Sequence, residues 1–395
     1  MAETGALGQA NCWRALRGAG KILALASGLF LAACQTIVPR TSGPATTGPG
    51  STTVQQGLPT DSERHRIALL VPMSGANSGV GRSIANATTM ALLDTAATNV
   101  RITTYDTGTG AAGAVSRAIA DGNRLILGPL TAEEVRAAAG PARNAHVPII
   151  SFSNDSTVAG NGVYIMGYTP DQAVDRVVRY ARSRGIERFA AIVPSGVYGE
   201  RTGNALLGAV RSAGGTVVAM QNYSRSAASI TSAVNRISQA VDYQAVLIAD
   251  GGKVAMQAAA LIRKSGAADA RILGTELWNT ESGLSASPAL RGAWFASVSD
   301  AYYRQLATKY RARFGAAPYR LSALGYDAVL LTVKIAQKWK SGTAFPVAEL
   351  TDKGGFSGID GAFRFGRNGV AERALEVQQV DAGNFTVIDA APRGF

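Results

Sequence analysis

Short apolar runs alternate with longer amphipathic stretches through most of the chain after residue 63. The first runs with the length of strands are RIALLVP (66–72), VRITTYD (100–106) and RLILGP (124–129). Between them, apolar residues recur with the helical period of about 3.6 residues over 79–97, 111–121 and 131–145. Strand and helix patterns that alternate in this way predict βαβ units and mainly parallel sheets.

A second series of the same kind runs from a helical pattern at 171–184 to an apolar run at 271–276. One sheet rarely holds so many parallel strands, so we expect two α/β lobes of similar size. The chain after residue 290 predicts a strand at 292–298, helices at 300–314 and 321–339, and antiparallel strands joined by glycine turns. These last elements are expected to pack on the two lobes.

Composition supports a folded, exported protein. The 395 residues are 47% apolar and 17% charged, which is enough to bury a large core and excludes disorder throughout. The two cysteines, Cys12 and Cys34, lie near the N-terminus and predict no structural disulfide. The net charge of +12 favours anionic lipids, cell-wall polymers or an acidic partner, and in an exported protein it does not favour nucleic acid.

The N-terminal segment has the pattern of an export signal. Its apolar run, 22–33, is 12 residues long, whereas a membrane-spanning helix needs about 20. The run follows Arg14, Arg17 and Lys21, as in the charged region of a signal peptide. We therefore predict that residues 1–33 are a signal peptide.

The residues LAAC at 31–34 resemble the bacterial lipobox. The resemblance implies a diacylglycerol group on Cys34, and the next residue, Gln35, favours retention at the outer membrane. An ordinary signal peptide followed by a chance cysteine is the alternative. Residues 34–62, rich in Thr, Ser, Gly and Pro, predict a flexible tether of up to about 90 Å.

The order of elements resembles the type I periplasmic binding proteins of the branched-chain amino-acid group. The likeness covers about 64–390 and includes the stretches LILGPLTAEEV, VPIISFSND and YRARFGAAPYRLSALGYDAVLL. It implies two lobes that face each other across a cleft and are joined by three crossovers. The first lobe would comprise 63–170 with 293–340, and the second 171–292 with 341–395.

Within that group, the lipobox, the tether and the stretch IALLVPMSG are similar to the penicillin-binding protein activators. These are lipoproteins that stimulate a peptidoglycan synthase. The resemblance implies a non-enzymatic protein of the outer membrane that faces the periplasm, with a bifunctional penicillin-binding protein as partner. The alternative is a lipid-anchored receptor for an amino acid or similar small polar solute that serves an ABC transporter.

Parallel sheets bind ligands beyond the carboxyl ends of their strands. Polar residues at these ends are therefore cleft candidates, and they are Ser74, Asp106, Thr131, Ser153, Asn154, Asp155, Tyr198, Asp250 and Glu276. By resemblance to amino-acid receptors, the loops of Thr131 and of 153–155 would hold a ligand carboxylate and ammonium. Glu276 would help to bind the ammonium.

Two positions depart from the receptor pattern. Thr131 and Glu134 have the spacing of a capping box, which would occupy the threonine hydroxyl. Asp250 is followed by two glycines, where amino-acid receptors often have an aromatic residue. Free amino-acid binding is therefore the less favoured of the two functions.

Other motifs predict no catalysis. The segment 108–113 matches G-x-G-x-x-G, but it follows the second strand of its series and no acid follows for a ribose hydroxyl, so a turn is favoured over a dinucleotide site. His65 and His146 have no metal or triad spacing, and the chain has no nucleophile elbow. We therefore predict no enzyme activity, no metal and no cofactor.

The densest basic cluster lies in VVRYARSRGIER, where Arg176, Arg179 and Arg182 lie near one helix face. A solvated helix face is the simpler interpretation, because cations are also favourable near a helix C-terminus. The three arginines are the candidate surface for a protein partner.

Overall fold

A five-stranded parallel sheet is the centre of the first lobe in this computed structural model, which describes residues 64–239, 242–265 and 267–394. The strand order is β2-β1-β3-β4-β5. The elements in chain order are β1 (His65–Val71), α1 (Ser78–Thr95), β2 (Val100–Asp106), α2 (Ala111–Ala120), β3 (Leu125–Leu127), α3 (Ala132–Asn144), β4 (Ile149–Ser151), a 3₁₀ turn (Ser156–Val158) and β5 (Val163–Ile165). The predicted signal peptide 1–33 and the tether 34–62 with Cys34 lie outside the described residues.

A seven-stranded sheet in the order β15-β14-β10-β9-β8-β6-β7 is the centre of the second lobe. Its elements are α4 (Pro170–Ser183), β6 (Arg188–Pro194), α5 (Val197–Ser212), β7 (Thr216–Tyr223), α6 (Ala227–Ser238), β8 (Ala245–Ile248), α7 (Gly252–Lys264), β9 (Arg271–Leu273), 3₁₀ turns (Glu276–Thr280, Ser282–Ala286 and Pro288–Leu290), β10 (Trp294–Ser297), β14 (Glu376–Val380) and β15 (Phe385–Asp389). Strands β6 to β10 are parallel, and β14 and β15 are antiparallel to their neighbours.

Between β10 and β14 the chain returns to the first lobe. This part contains α8 (Ala301–Phe314), α9 (Ser322–Ala336), a 3₁₀ turn (Val347–Thr351) and a small antiparallel sheet of β11 (Phe356–Gly358), β12 (Gly361–Phe365) and β13 (Ala371–Arg373). The chain therefore passes between the lobes three times, at 166–169, 298–300 and 374–375. The predicted two-lobed α/β fold is confirmed.

The central strands of each parallel sheet are buried on both faces, which explains why they are almost continuously apolar. In β1, Ile67 and Leu69 face one core, whereas Ala68 and Leu70 face the core on the other side of the sheet. Helices cover both sides, so a single polar residue within such a strand would face apolar neighbours on either face.

The strand order differs from the predicted division of the chain in two places. Strand β10 was expected in the first lobe, as part of 293–340, but it pairs with β9 and β14 in the second sheet. Conversely, β11 to β13 fall within 341–395, which was expected in the second lobe, yet Phe356 and Phe363 pack into the same core as Ile67. In both places the burial of aromatic side chains determines which lobe the strands join.

Strand β5 was not predicted. It is only three residues long and follows a turn with Gly160 and Gly162. Its register is set by pairing with β4, which is a tertiary contact that the local sequence does not encode.

A close approach of helix α5 to strand β6 positions two residues of the cleft. Gly199 lies so near the carbonyl oxygen of Pro194 that a Cβ atom would overlap it. The glycine therefore allows the first turn of α5 to lie directly at the end of β6. Tyr198 and Arg201 of this turn consequently reach the cleft.

Candidate functional site

Ser74 and Asp106 are brought together at the ends of β1 and β2, but they bind each other. The Ser74 hydroxyl donates to Asp106 Oδ2 over 2.7 Å, and the backbone amides of Met73 and Gly108 donate to Oδ1 over 2.7 and 2.8 Å. Burial opposes the charged carboxylate, but these hydrogen bonds outweigh it and lower the pKa of Asp106. Asp106 thus ties two loops together. Its bond to the Gly108 amide also places a carboxylate where a dinucleotide phosphate would have to bind.

Thr131 forms the predicted capping box at the start of α3. Its hydroxyl accepts from the Glu134 amide over 3.2 Å, and Glu134 Oε2 accepts from the Thr131 amide over 2.9 Å. The Thr107 hydroxyl donates to the other Glu134 oxygen. The polar groups of this loop therefore stabilise the helix N-terminus.

Asp155 joins the two lobes across the cleft. Its carboxylate accepts from Arg136 Nη2 of α3 in the first lobe over 3.0 Å and from Arg201 Nη2 of α5 in the second lobe. The side chain of Asp155 is 1% exposed and that of Arg201 17%. Burial raises the pKa of Asp155, but hydrogen bonds from Thr157 and the charge of Arg201 outweigh it, so the pKa is lowered.

The neighbouring candidates of that loop differ in exposure. The buried Ser153 hydroxyl accepts from the Asp155 amide over 3.1 Å and helps to orient the loop. Asn154 is exposed. The carboxylate of this loop, on Asp155, is therefore already paired with arginines of the same chain.

Glu276 and Tyr198 meet on the second-lobe side. The Tyr198 hydroxyl donates to Glu276 Oε1 over 3.0 Å and lies 3.0 Å from Thr275 Oγ1. Glu276 Oε2 is shielded from solvent and has no hydrogen-bond partner among the described residues. Burial raises the pKa of Glu276 to about 7, because too few donors compensate the lost hydration.

Asp250 is paired within the second lobe. Its Oδ2 atom accepts from the Tyr223 hydroxyl over 2.9 Å and from Arg225 Nε over 2.8 Å. The indole of Trp278 donates to its backbone carbonyl over 2.8 Å. Asp250 therefore links β8 to the loop after β7 and to the 3₁₀ turn after β9.

A cavity at the hinge lies beside Glu276 and is lined by residues of all three crossovers. Its empty volume is about 380 Å³, part of which is open to solvent. The polar residues that line it are Tyr168, Gln172, Glu276, Asn279, Arg320 and Arg373. Of these, only Glu276 was predicted from the sequence.

Arg320 is the centre of a buried charge network beside this cavity. Its guanidinium pairs with Asp300 over 3.2 Å and with Asp360 over 2.7 Å, and the Tyr168 hydroxyl donates to Asp360. Burial and the nearby Asp360 raise the pKa of Asp327. Asp327 therefore keeps its proton to a higher pH than an exposed aspartic acid does.

The sequence analysis missed Arg320 and Arg373 because it considered only the carboxyl ends of parallel strands. Arg320 precedes helix α9, and Arg373 ends a strand of the small antiparallel sheet. One signal was present. In β13, Ala371 and Arg373 face the interior and Glu372 faces solvent, so strand alternation places an arginine on the buried face. A charged residue at such a position indicates either a buried ion pair or a binding site.

The candidate partner arginines have different environments. Arg176 donates to Asp389 and to the Leu375 carbonyl, and Arg182 donates to the carbonyls of Ala213 and Ile186. Both are about three-quarters buried or more, with side chains 23% and 22% exposed. Only Arg179, 65% exposed, lies mainly in solvent, where it pairs with Asp175 one turn earlier.

Among the described residues, no cluster of three His, Cys, Asp or Glu side chains could hold a metal ion. In the same ranges, no helix combines the length and apolarity needed to cross a bilayer.

His65 stacks on Trp339 with ring centroids 4.1 Å apart, and burial lowers its pKa.

Three solved structures of binding proteins are similar to the structure of this chain. An ABC transporter substrate-binding protein of Sphaerobacter thermophilus superposes with a TM-score of 0.68 at 18% identity, covering 84% of this chain and 98% of that one. A solute-binding protein of Rhodopseudomonas palustris BisB5 in complex with 3,4-dihydroxybenzoic acid gives 0.64 at 17% identity, covering 84% and 99%. A substrate-binding protein of the Streptococcus pneumoniae branched-chain amino acid transporter, in complex with isoleucine, gives 0.61 at 17% identity, covering 83% and 100%. At these identities the likeness shows the fold.

By sequence, an uncharacterised protein of Rickettsia prowazekii (strain Madrid E) is 24% identical over 178 residues, which are 45% of this chain and 48% of that protein. This chain thus spans about half the length of the curated relative that it matches. The family model described as periplasmic binding protein matches residues 65–384. Since that match includes both lobes and all three crossovers, the chain belongs to the periplasmic binding protein family.

Proposed function

We propose that this protein is a non-enzymatic lipoprotein that regulates a bifunctional penicillin-binding protein, rather than a transport receptor for a free amino acid. The observation that supports this most is the ion pair between Asp155 and Arg201. In amino-acid receptors, the loop that corresponds to 153–155 holds the ligand. Here its carboxylate is buried, and Arg136 and Arg201 already neutralise it.

Other polar side chains of the cleft likewise already have partners within the protein. Thr131 caps a helix, and Asp250 pairs with Arg225. A ligand at these positions would first have to break contacts that each lobe makes internally. A body of this kind is suited to contact a partner through its surface, with Cys34 as the anchor in the outer membrane and 34–62 as the tether that spans toward the synthase.

The test is reconstitution with a purified bifunctional penicillin-binding protein. We expect the lipoprotein to bind it and to raise its rate of glycan polymerisation or of cross-linking. Arg179→Glu should weaken binding, because Arg179 is the exposed member of the candidate surface and its reversal leaves the fold intact. Arg311→Glu, an exposed arginine on α8 with the same change in charge, is the matched control.

Unchanged synthase rates and no complex with any bifunctional penicillin-binding protein of the same cell would refute the proposal. Equal losses from Arg179→Glu and Arg311→Glu would instead show that net charge matters and that the α4 surface does not.

A solute receptor is the second candidate function. Two of the solved structures described above are complexes with 3,4-dihydroxybenzoic acid and with isoleucine. If this chain is a receptor, binding of its solute should raise its thermal stability by mass action. Strong stabilisation by one amino acid, together with no effect on any synthase, would favour this function over the first.

A further inference from the structure

Three arginines of the second lobe converge on one turn, at the end of the sheet opposite the cleft. Arg263 Nε donates to the Ala289 carbonyl over 3.2 Å, and Arg271 Nη1 donates to the Gly292 carbonyl over 2.5 Å. Arg291 lies within the same turn, shortly before β10. We call these three residues the arginine cluster. It lies at the amino ends of β9 and β10, whereas the cleft lies beyond the carboxyl ends of the strands.

The guanidinium groups of the arginine cluster have no ion-pair partner. Among the described residues, no carboxylate lies within ion-pair distance of any of the three. In the same ranges, Arg263 and Arg271 donate only to backbone carbonyls. Burial lowers the pKa of Arg271, and the positive charge of Arg263 lowers it further. Two half-buried cations of this lobe therefore repel each other.

Acids of the neighbouring segments do not contact the arginine cluster. Asp269 is exposed, and its charge only partly offsets the burial that lowers the pKa of Arg263. Asp381 Oδ1 accepts from Gln379 Nε2 over 2.9 Å. Hydrogen bonds from Thr386 and Gln379 lower the pKa of Asp381. Both carboxylates thus reduce the local positive charge from a distance, and neither uses the donors of the three arginines.

Arg271 is held in position without any ligand. Its guanidinium carbon lies 4.2 Å from the centre of the buried Trp294 ring. A Cβ atom at Gly292 would lie 2.9 Å from Arg271 Nη1, so the glycine leaves room for this guanidinium at the turn. The Nε and Nη2 atoms of Arg271 make no hydrogen bond to the described residues. Donors that are already fixed lose little conformational entropy when they bind a ligand.

We propose that the arginine cluster binds a phosphate group. Phosphate presents three strong acceptor oxygens and up to two negative charges near neutral pH, whereas a carboxylate has one charge. Planar guanidiniums bind such oxygens through paired hydrogen bonds. Together with the exposed Lys264, the cluster has four positive charges against the two of Asp269 and Asp381. A phosphate dianion balances this difference, and a carboxylate does not.

The site is tested by calorimetry of the purified protein with sodium phosphate and sodium acetate, slightly above neutral pH and at equal ionic strength. We expect phosphate to bind about fivefold more tightly than acetate or better, because it has the additional charge and acceptor. Binding is measured directly, since phosphate also stabilises proteins nonspecifically through its exclusion from their surface.

Variants of the arginine cluster should weaken phosphate binding. Arg291→Ser should weaken it about three- to fivefold, as expected for an exposed charge, and Arg291→Lys should retain most of the affinity. Arg271→Gln should weaken it about tenfold or more, because this guanidinium is half-buried. Since Arg271 also stacks on Trp294, that variant could fail to fold, and the Arg291 variants then decide.

Arg211→Ser is the matched control. Arg211 is an exposed arginine near the end of α5, a helix that packs on β6 and β7 at the other edge of the sheet. The substitution makes the same change in charge as Arg291→Ser. Phosphate affinity should remain that of the wild type.

Cosedimentation with vesicles identifies the source of the phosphate group. Vesicles of phosphatidylcholine with phosphatidic acid are compared with vesicles of phosphatidylcholine alone. All proteins in this assay have Cys34→Ala, so that no lipid on this residue holds them to the vesicle. Binding to phosphatidic acid that Arg291→Ser weakens would assign the site to a lipid headgroup. Calorimetric binding of phosphate without vesicle binding would assign it to free phosphate or a soluble phosphate ester.

Three results would overturn the inference: no binding in either assay, equal affinities for phosphate and acetate, or equal losses from Arg291→Ser and Arg211→Ser. The inference does not rest on the proposed function, and none of these measurements involves a penicillin-binding protein. Failure here would leave the proposed regulatory function untouched, and failure of synthase activation would leave the phosphate site untouched.

Discussion

Carboxylates at the cleft side of the two lobes differ in how many donors surround them. Asp106 receives a hydroxyl and backbone amides, and Asp155 receives two guanidinium groups, so both have lowered pKa values. Glu276 receives one phenol hydroxyl on one oxygen. Burial then dominates and its pKa rises. The number of donors around each group, and not its position at a strand end, decides its charge.

Glu276→Gln should therefore change how stability depends on pH. The native state holds the proton of Glu276 up to about pH 7, whereas the unfolded chain releases it near 4.5. The wild type has this contribution fully below pH 4.5 and loses it as the pH rises through 7. Each unit of pKa shift corresponds to about 1.4 kcal/mol, so the loss is of the order of a few kcal/mol.

Urea unfolding between pH 4 and 8 measures this effect. Relative to the wild type, Glu276→Gln should gain stability between about pH 4.5 and 7 and change little outside that interval. The exposed control Glu200→Gln should run parallel to the wild type. Parallel curves for all three proteins would show that the pKa of Glu276 is the same in the folded and unfolded states, which would contradict the prediction.

At the scale of elements, polar residues near the cleft serve mainly to begin and hold helices. The N-terminus of α3 has Glu133 and Glu134 in its first turn and a capping box, which together satisfy amides that an anionic ligand would otherwise use. Helix α4 is held in place in a similar way, because Arg176 donates to the carbonyl of Leu375 and to Asp389 at the end of β15. Both elements are thus fixed by the side chains that first suggested binding.

Thr131→Ala should lower the free energy of unfolding by about 1 kcal/mol, because it removes the side-chain acceptor of the N-cap. Thr131→Ser keeps the hydroxyl and should remain within a few tenths of the wild type. Chemical denaturation at neutral pH measures both. Equal stability of the alanine variant would mean that Glu134 alone satisfies the helix N-terminus.

At the scale of the molecule, the ion pair of Asp155 with Arg201 connects the lobes away from the crossovers. Asp155 lies in the first lobe and Arg201 on α5 of the second, so the pair forms only when the cleft is narrow. Arg136 keeps Asp155 from being left without a partner when the lobes part. The pair is therefore a closing contact and not a condition for folding.

Arg201→Met should widen the average separation of the lobes and lower the free energy of unfolding by about 1–3 kcal/mol, since a buried carboxylate loses one of its two cations. Small-angle scattering should show a larger radius of gyration than for the wild type. Combined with Asp155→Asn, the loss should be smaller than the sum of the single losses, because the two side chains interact directly. A radius of gyration unchanged in all three variants would contradict the role of this pair.

The local sequence determined most of the elements of this protein. The β-branched pattern of 100–106, the apolar run of 188–194, the helical periods and the Thr131 capping box depend on neighbouring residues. Strands β2 and β6 and the start of α3 therefore lie where they were predicted. Two lobes followed from the number of parallel strands. These features are determined by chain geometry and by local hydrogen bonds.

Tertiary structure alone decided which lobe each late strand joins and which charges meet. Trp294 and Phe356 lie far along the chain and are buried in opposite lobes from those expected, because the partners that cover them come from distant segments. In the same way, Arg201 reaches Asp155 only once the lobes are folded. Long-range burial and ion pairing depend on positions in space, which spacing along the sequence does not supply.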